Sequence, residues 1–195
     1  MKIFTIIKED SKRVPDKNFI DIDGHPLWWH LLSELDGLDV TVNTDSQRFL
    51  RQLSSSNLKT IKAIEREQKH VDWENDESID SSPVEDMLFN FCKHLNRSEI
   101  VVLTHVTSPF LKKETIFDAV KMLQSNNEAK SIHSVLKVQD FVWIKKDEEA
   151  RPINFSTDRV QRTQDLPPIL VFRRLCSWHG SYLDFPRPKK KLPFF

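Results

Sequence analysis

The sequence predicts a three-layer α/β domain built around a mostly parallel sheet. Its 195 residues are enough for one domain with a sizeable core. Through the first 138 residues, short apolar runs alternate with amphipathic stretches, which is the pattern of strands connected by helices. Because helical crossovers join consecutive strands in such a chain, we expect most strands to be parallel.

Five short apolar runs are predicted strands, since they are rich in β-branched residues and bounded by polar segments. In chain order they are KIFTII at 2–7, LDVTVN at 38–43, KTIKAI at 59–64, EIVVLT at 99–104 and AKSIHSVLKV at 129–138. The first run is expected to be a buried strand, and the fourth is apolar along most of its length.

Four helices are predicted between and after these strands. The first has Pro26 at its start, Gly37 beyond its end and an apolar stripe of Trp28, Leu31, Leu32 and Leu35. The second, TDSQRFLRQL, begins with Thr44 and Gln47 at the spacing of a capping box. The other two are amphipathic and read PVEDMLFNFCKHL at 83–95 and KKETIFDAVKML at 112–123.

Charge is balanced overall but not evenly distributed. The formal net charge is zero, which gives no global indication of a nucleic-acid or membrane partner. Residues 171–195, however, carry six lysines and arginines against one aspartate, so the body is mildly acidic and the C-terminal segment basic. Residues 172–195 also contain three prolines and no strand or helix period long enough to assign. We therefore treat 172–195 as an atypical basic tail, expected to be partly disordered.

The remaining composition excludes several classes of protein. The two cysteines, Cys92 and Cys176, form neither a disulfide framework nor a metal-binding spacing. No signal-peptide layout or membrane-length apolar run is present, and we expect a cytoplasmic protein. With only three glycines, neither a dinucleotide-binding fingerprint nor a Walker-type phosphate loop can be written. Any phosphate site must therefore depend on side-chain cations.

A cluster of cations follows the first strand. The segment KEDSKRVPDKN (residues 8–18, here called the basic loop) includes Lys12, Arg13 and Lys17 around Pro15. In parallel sheets, ligands bind beyond the carboxyl ends of the strands, which is where this loop, NTDS at 43–46 and THVTSP at 104–109 are predicted to lie. The alternative is a merely solvated loop, but its position favours an anion site.

Several ordered motifs resemble the acylneuraminate cytidylyltransferases, which make CMP-sialic acid, and related cytidylyltransferases for acidic sugars. Their opening strand, basic G-S-K-x-x-P-x-K-N loop and G-x-P-L element are matched by Ser11, Lys12, Pro15, Lys17, Asn18, Gly24, Pro26 and Leu27. VNTDS, SIDSSPVEDML, VVLTHVTSPFLKKETI and RTQDLPPILV resemble further segments of the family in the same order. The likeness covers roughly residues 1–171, and several ordered motifs are far more specific than one.

The resemblance implies a Rossmann-like nucleotidyltransferase fold and transfer of CMP from CTP to an acidic nine-carbon sugar, with release of pyrophosphate. Lys12 and Lys17 match positions that hold the phosphates, and we assign them the catalytic role. Ser11, Arg13, Asn18 and Ser82 complete the predicted nucleotide contacts. Mg²⁺ is the implied cofactor, because a triphosphate and its leaving pyrophosphate need positive charge around them.

The predicted acceptor site is less specific. His105, Thr107 and Ser108 follow the fourth strand, and Gln164 and Asp165 lie in the stretch that the family has near its dimer contact. Each of the other candidates for ligand binding also has a purely structural interpretation. Asp45 would be a helix-start residue, Ser81 and Ser82 would be helix-entry residues, and Arg66 would be a solvated arginine. For Arg66 and the two serines we favour the structural interpretation.

The chain also departs from the family pattern. KED replaces the segment before Ser11, so that an early arginine is lost, although Lys8 supplies a point charge. His105, Val106 and Leu111 replace a glutamine, a proline and an arginine on the sugar side, so the acceptor is expected to differ from ordinary sialic acid. No acidic element that would bind the metal is visible after Val171, and the metal ligands are therefore unassigned.

Three classes of function follow from these features. The first is an active cytidylyltransferase; the second is a catalytically impaired nucleotide-binding or scaffold protein of the same fold. The third is an unrelated α/β domain that binds polyanions, which the acidic body disfavours. For the first two, the resemblance implies a domain over 1–171 with a dimerisation arm at about 138–171. We expect a homodimer with Phe141 and Trp143 at its interface.

Overall fold

The computed structural model describes residues 1–79, 81–96, 98–159 and 161–179, and for residues 173–179 it describes the backbone alone. Its mixed α/β architecture confirms the predicted fold class. The chain divides into two compact units. One consists of Met1–Ile132 together with Leu175–His179, and the other is His133–Arg174.

The first unit contains a parallel sheet with helices between its strands. Its elements are β1 (Lys2–Ile7), β2 (Asp21–Ile22), β3 (His25–Pro26), α1 (Leu27–Leu35), β4 (Val40–Thr44), α2 (Gln47–Ser54), β5 (Ile61–Glu65), α3 (Gln68–Asn75), α4 (Val84–Cys92), β6 (Ile100–Leu103) and α5 (Lys113–Gln124). Strand β1 is central, since it pairs in parallel with β4 on one side and with β6 on the other. Strand β5 pairs in parallel with β4, which completes four parallel strands.

Strand β1 supplies side chains to both faces of this sheet. Ile3 and Ile7 are fully buried in a cluster that contains the apolar stripe of α1. Phe4 and Ile6 are buried in a second cluster, with Met87 of α4. Because successive strand side chains point to opposite faces, these two cores lie on either side of the sheet and produce the predicted three layers.

Helix α2 begins differently from the prediction. Thr44 remains in β4, and its hydroxyl accepts a hydrogen bond from the backbone N–H of Ser46 at 3.0 Å. Ser46 is the N-cap, since its Oγ accepts from the backbone N–H of Phe49 at 2.9 Å. The capping box that we predicted at Thr44 and Gln47 is therefore wrong, and the helix begins two residues later, with a serine cap.

Helix α3 was not predicted at all. Its sequence, QKHVDWEN, has no repeated apolar stripe, and its fully buried residue is a histidine, His70. The His70 Nε2 lies 2.7 Å from a carboxylate oxygen of Asp86 on α4. Hydrogen bonds from His70 and then Lys69 lower the pKa of Asp86. Polar contacts of this kind, rather than an apolar face, attach α3 to its neighbour.

The second unit contains most of β7 (Ser131–Val138), then β8 (Trp143–Lys146), β9 (Glu149–Pro152), a 3-10 turn at Thr163–Asp165 and the first part of β10 (Ile169–His179). Strands β8 and β9 form an antiparallel hairpin, with Asp147 in the left-handed region at φ 55°. Strand β10 neighbours β7. Residues 138–171, the range of the implied dimerisation arm, thus contain this hairpin and a 3-10 turn.

Strand β10 continues beyond the boundary at which we began the basic tail. Its last residues, Cys176–His179, pair antiparallel with β6, an extension that the sequence pattern did not predict. The rest of the proposed tail, residues 180–195, lies outside the described residues, so the expected disorder falls on residues that the structure does not describe.

Among the helices that the structure describes, none is long and apolar enough to cross a membrane.

Candidate functional site

The parallel strands bring the predicted ligand loops to one edge of the sheet. Ile7 at the end of β1 is paired with Thr44 at the end of β4, which is in turn paired with Glu65 at the end of β5. Strand β6 also runs parallel to β1. The carboxyl ends of these four strands, here called the rim, therefore carry the basic loop and the segments that begin at Asp45, Arg66 and Thr104.

The two ends of the basic loop are held close together. The side-chain amide of Asn18 donates to the carbonyl oxygen of Lys8 at 2.9 Å, and Asn18 itself is buried. At the first end, the backbone N–H of Glu9 donates to the Asp45 carboxylate at 3.1 Å. The Glu9 carboxylate accepts a hydrogen bond from the hydroxyl of Ser46. The loop is thus fixed where it leaves β1 and where it returns.

Arg48 of α2 holds the second half of the same loop. Its guanidinium lies 3.2 Å from a carboxylate oxygen of Asp16 and 4.3 Å from the centre of the Phe19 ring. Asp16 adopts a left-handed conformation at φ 52°, which aspartate tolerates better than most residues, and precedes a short 3-10 helix at Lys17–Phe19. A turn and a cation–π contact therefore hold the part of the loop that contains Lys17.

The predicted phosphate-binding cations have different exposures. Lys12 and Arg13 are exposed near the middle of the loop, whereas Ser11 and Lys17 are half-buried. Hydrogen bonds from Ser78 lower the pKa of Asp76, and the nearby positive charge of Lys12 lowers it further. The structure thus brings Lys12 close to the segment that follows α3, a proximity that the sequence did not indicate.

Arg66 is not the solvated arginine that we predicted, because its side chain is 0% exposed. Its guanidinium donates to the Asn43 side-chain oxygen at 3.1 Å, to the Ile7 carbonyl oxygen at 3.3 Å and to the Glu74 carboxylate at 2.7 Å. Asp45 lies slightly farther away, at 3.7 Å. A buried guanidinium with these partners joins the ends of β1 and β4 to α3.

The serine segment lies between α3 and α4. Ser81 and Ser82 are both exposed, and the Ser81 hydroxyl accepts a hydrogen bond from the indole N–H of Trp73 at 3.2 Å. The N-cap of α4 is Pro83 rather than a serine. Both serines therefore lie in the entry to α4, as the structural interpretation predicts, and Ser82 is exposed at the surface.

The segment after β6 contains the predicted acceptor residues. Thr107 and Ser108 are exposed, His105 is half-buried, and a turn hydrogen bond joins Ser108 N–H to the His105 carbonyl at 2.9 Å. Phe110 is 85% exposed, whereas Leu111 packs against the core. The side chain that replaces the family's arginine therefore belongs to the packing of the domain.

Gln164 and Asp165 belong to the second unit, where both are exposed. Asp165 accepts a hydrogen bond from Arg162 at 2.7 Å, and the Gln164 carbonyl accepts one from the Gln139 side chain at 3.0 Å.

Within the described part of the chain, no three histidine, cysteine, aspartate or glutamate side chains are grouped as metal ligands.

Sequence reasoning missed most of the residues that hold this site together. Glu9, Asn43, Arg48 and Glu74 all contact rim segments that are distant in sequence, and no local pattern identifies such pairs. Ser46 is the exception. A serine three residues before Phe49, at the start of an amphipathic stretch, is a recognisable N-cap signal.

A family model described as "Cytidylyltransferase" matches residues 8–169. Among curated proteins, the N-acylneuraminate cytidylyltransferases of Streptococcus agalactiae serotypes V and III are 28% and 27% identical over 179 residues. Each alignment covers 87% of this chain and 41% of the relative, so the chain spans less than half the length of these proteins.

Two solved structures share the fold at low sequence identity. One is a CMP:2-keto-3-deoxy-manno-octonic acid synthetase complexed with CTP, with a TM-score of 0.60 and 16% identity over 91% of this chain and 73% of that one. The other is a 4-diphosphocytidyl-2C-methyl-D-erythritol synthase from Anaerococcus prevotii, with a TM-score of 0.57 and 16% identity over 91% and 70%. At this identity the likeness supports the fold alone.

Proposed function

The chain belongs to the cytidylyltransferase family, and from this premise we propose that it transfers CMP from CTP to an acidic sugar. In this reaction a sugar hydroxyl oxygen forms a bond to the α-phosphorus of CTP. The bond from that phosphorus to the bridging oxygen breaks, pyrophosphate leaves with the bonding electrons, and the hydroxyl proton is released. The leaving group gains negative charge, so fixed cations near it accelerate the reaction.

One observation carries the proposal: an anchored loop presents cations at the rim. Lys12 and Arg13 are exposed, while the loop ends are fixed by the Asn18–Lys8 and Glu9–Asp45 hydrogen bonds. A loop that is already ordered loses little conformational entropy when it binds a polyanion. We assign Lys12 and Lys17 to the phosphates, with Ser11, Arg13, Asn18 and Ser82 as further nucleotide contacts.

For the acceptor we propose a sialic acid-like, nine-carbon acidic sugar, contacted by His105, Thr107 and Ser108. The names of the Streptococcus agalactiae relatives support this class. The names of the structural neighbours include an octonic acid and a methylerythritol, which are therefore the alternatives to be assayed beside it. Mg²⁺ enters the proposal as the counter-ion of CTP, since it is commonly held by substrate phosphates and water.

CTP is expected to stabilise the protein through the basic loop. At about one hundred times its Kd, a ligand that binds only the folded state adds about 2.7 kcal/mol to the free energy of unfolding. Lys17→Ala should weaken CTP binding about tenfold, because it removes one charge-assisted contact to phosphate. The measurement is the thermal shift with CTP and Mg²⁺ relative to the same variant without nucleotide.

The control is Lys121→Ala, which removes an exposed lysine of α5. It should retain the full CTP-dependent shift. An unchanged melting temperature for the folded wild type with millimolar CTP would contradict the proposed function. Pyrophosphate release with a panel of acidic sugars then tests turnover, and CTP binding without release would favour the catalytically impaired alternative.

We also propose that the protein is a homodimer that uses the aromatic surface of the second unit. Trp143 and Phe141 are 50% and 38% exposed, and both contact the ring of Phe155 at about 5 Å between ring centres. Large aromatic side chains of this kind are enriched in protein interfaces.

Light scattering should give twice the monomer mass, and Trp143→Ser should shift the equilibrium towards monomer. A monomeric wild type at high concentration would refute this proposal.

A further inference from the structure

Glu74 of α3 is shared by cations from two different rim segments. One carboxylate oxygen lies 2.7 Å from the Lys8 ammonium, and the other lies 2.7 Å from the Arg66 guanidinium. The Glu74 side chain is only 10% exposed. Neither the family resemblance nor the sequence pattern gives this residue a role, because it lies on a helix that was not predicted.

The two cations hold the points from which the rim segments begin. Lys8 is the first residue of the basic loop, and its carbonyl oxygen accepts the Asn18 hydrogen bond that closes that loop. Arg66 follows β5 and reaches across to Asn43 and to the Ile7 carbonyl. A carboxylate that is bonded to both cations therefore connects the start of the basic loop to the strand ends beside it.

The chemistry of Glu74 suits this bridging position. Each of its two oxygens accepts from a different cation, so both oxygens of the carboxylate are paired with a donor. Glutamine would keep one acceptor but turn an NH2 donor towards either Lys8 or Arg66. Because the site is poorly exposed, water would compensate this mismatch only in part.

We propose that Glu74 is a positioning residue for the nucleotide site: it fixes Lys8 and Arg66, and through Lys8 it holds the basic loop in the conformation that receives phosphate. This inference rests on the proposed function only in taking CTP as the ligand. The role of Glu74 in holding the basic loop does not depend on it. Glu74 acts through the two cations, and its carboxylate is not itself a phosphate contact, since like charges repel.

The test compares Glu74→Gln with Glu67→Gln, which changes an exposed glutamate at the start of the same helix. Trypsin cleavage after Lys12 and Arg13 reports loop opening without any ligand, and cleavage after Lys145 in the β8–β9 hairpin is the internal reference. We expect Glu74→Gln to raise the loop-to-hairpin cleavage ratio about fivefold, because local opening controls cleavage. The Kd for CTP should rise about tenfold, whereas Glu67→Gln should change neither quantity.

Lys8→Met is the second variant, since it removes the loop contact but leaves the buried Glu74–Arg66 pair intact. It should also raise the cleavage ratio, and the double variant Lys8→Met/Glu74→Gln should add little to the larger single effect. If Glu74→Gln does not fold, Lys8→Met decides the question alone. An unchanged cleavage ratio in the folded variants overturns the proposal, and so does tighter CTP binding by Glu74→Gln, which would identify Glu74 as a competitor of phosphate.

The two proposals fail in different ways. If the wild type does not bind CTP, the proposed function fails, while the cleavage ratio still decides whether Glu74 orders the loop. If CTP binds and the cleavage ratio of Glu74→Gln equals that of the wild type, the proposed function stands and the positioning role is refuted.

Discussion

Trp28→Ala is expected to lower the free energy of unfolding by about 3–5 kcal/mol, a large part of the stability of an ordinary domain. Trp28 is 2% exposed, its ring meets that of Phe49 edge-to-face at 5.0 Å, and its indole N–H donates to Gln52 at 3.1 Å. Truncation therefore leaves a cavity between α1 and α2 and removes the donor to the side-chain oxygen of Gln52. Urea unfolding measures the effect.

The neighbouring Trp29 provides a matched control on the same helix. Its ring is only half-buried and stacks on His25, with 3.8 Å between ring centres. Trp29→Ala should lower stability by about 1–2 kcal/mol, because much of that side chain is already in contact with water. Equal losses for the two variants would contradict the assignment of Trp28 to the core.

Arg66→Met is expected to destabilise the protein by about 3 kcal/mol, although methionine fills much of the same volume. It removes the donor to Asn43 and to the Ile7 carbonyl and leaves Glu74, which is poorly exposed, with Lys8 as its remaining cation. Unpaired buried acceptors account for most of the cost. Thermal and urea unfolding give the magnitude.

Arg51→Met is the comparison, since Arg51 is an exposed residue of α2. We expect its free energy of unfolding to remain within about 0.5 kcal/mol of the wild type, as is usual for surface substitutions. If Arg66→Met were equally mild, the buried guanidinium would contribute no net stability, and its network at the rim would need another explanation.

The elements that could be predicted are those whose apolar residues repeat with a clear period. The stripe of α1 is buried as expected, and the apolar run at Ile100–Leu103 is a strand that is buried along its whole length. In these segments the local pattern and the packing of the domain agree, so the sequence alone was sufficient.

Helix α3 and the interior of the site could not be predicted for a common reason. His70, Glu74 and Arg66 are polar residues whose burial depends on partners that are distant in the chain. A cation in a charged stretch is usually solvated, and only the assembled rim shows that Arg66 is enclosed. The basic loop was recognisable because its charges and its place after β1 are local features.

The central position of β1 has a consequence for synthesis on the ribosome. Strand β1 is made before the other strands of its sheet, yet it needs β4 on one side and β6 on the other, and β6 begins at Ile100. At ordinary elongation rates about 5–20 seconds separate the two strands. During that interval the apolar segment KIFTII has no complete sheet to enter, and a nascent chain would therefore be most exposed to aggregation, and most dependent on chaperones, before residue 103 emerges.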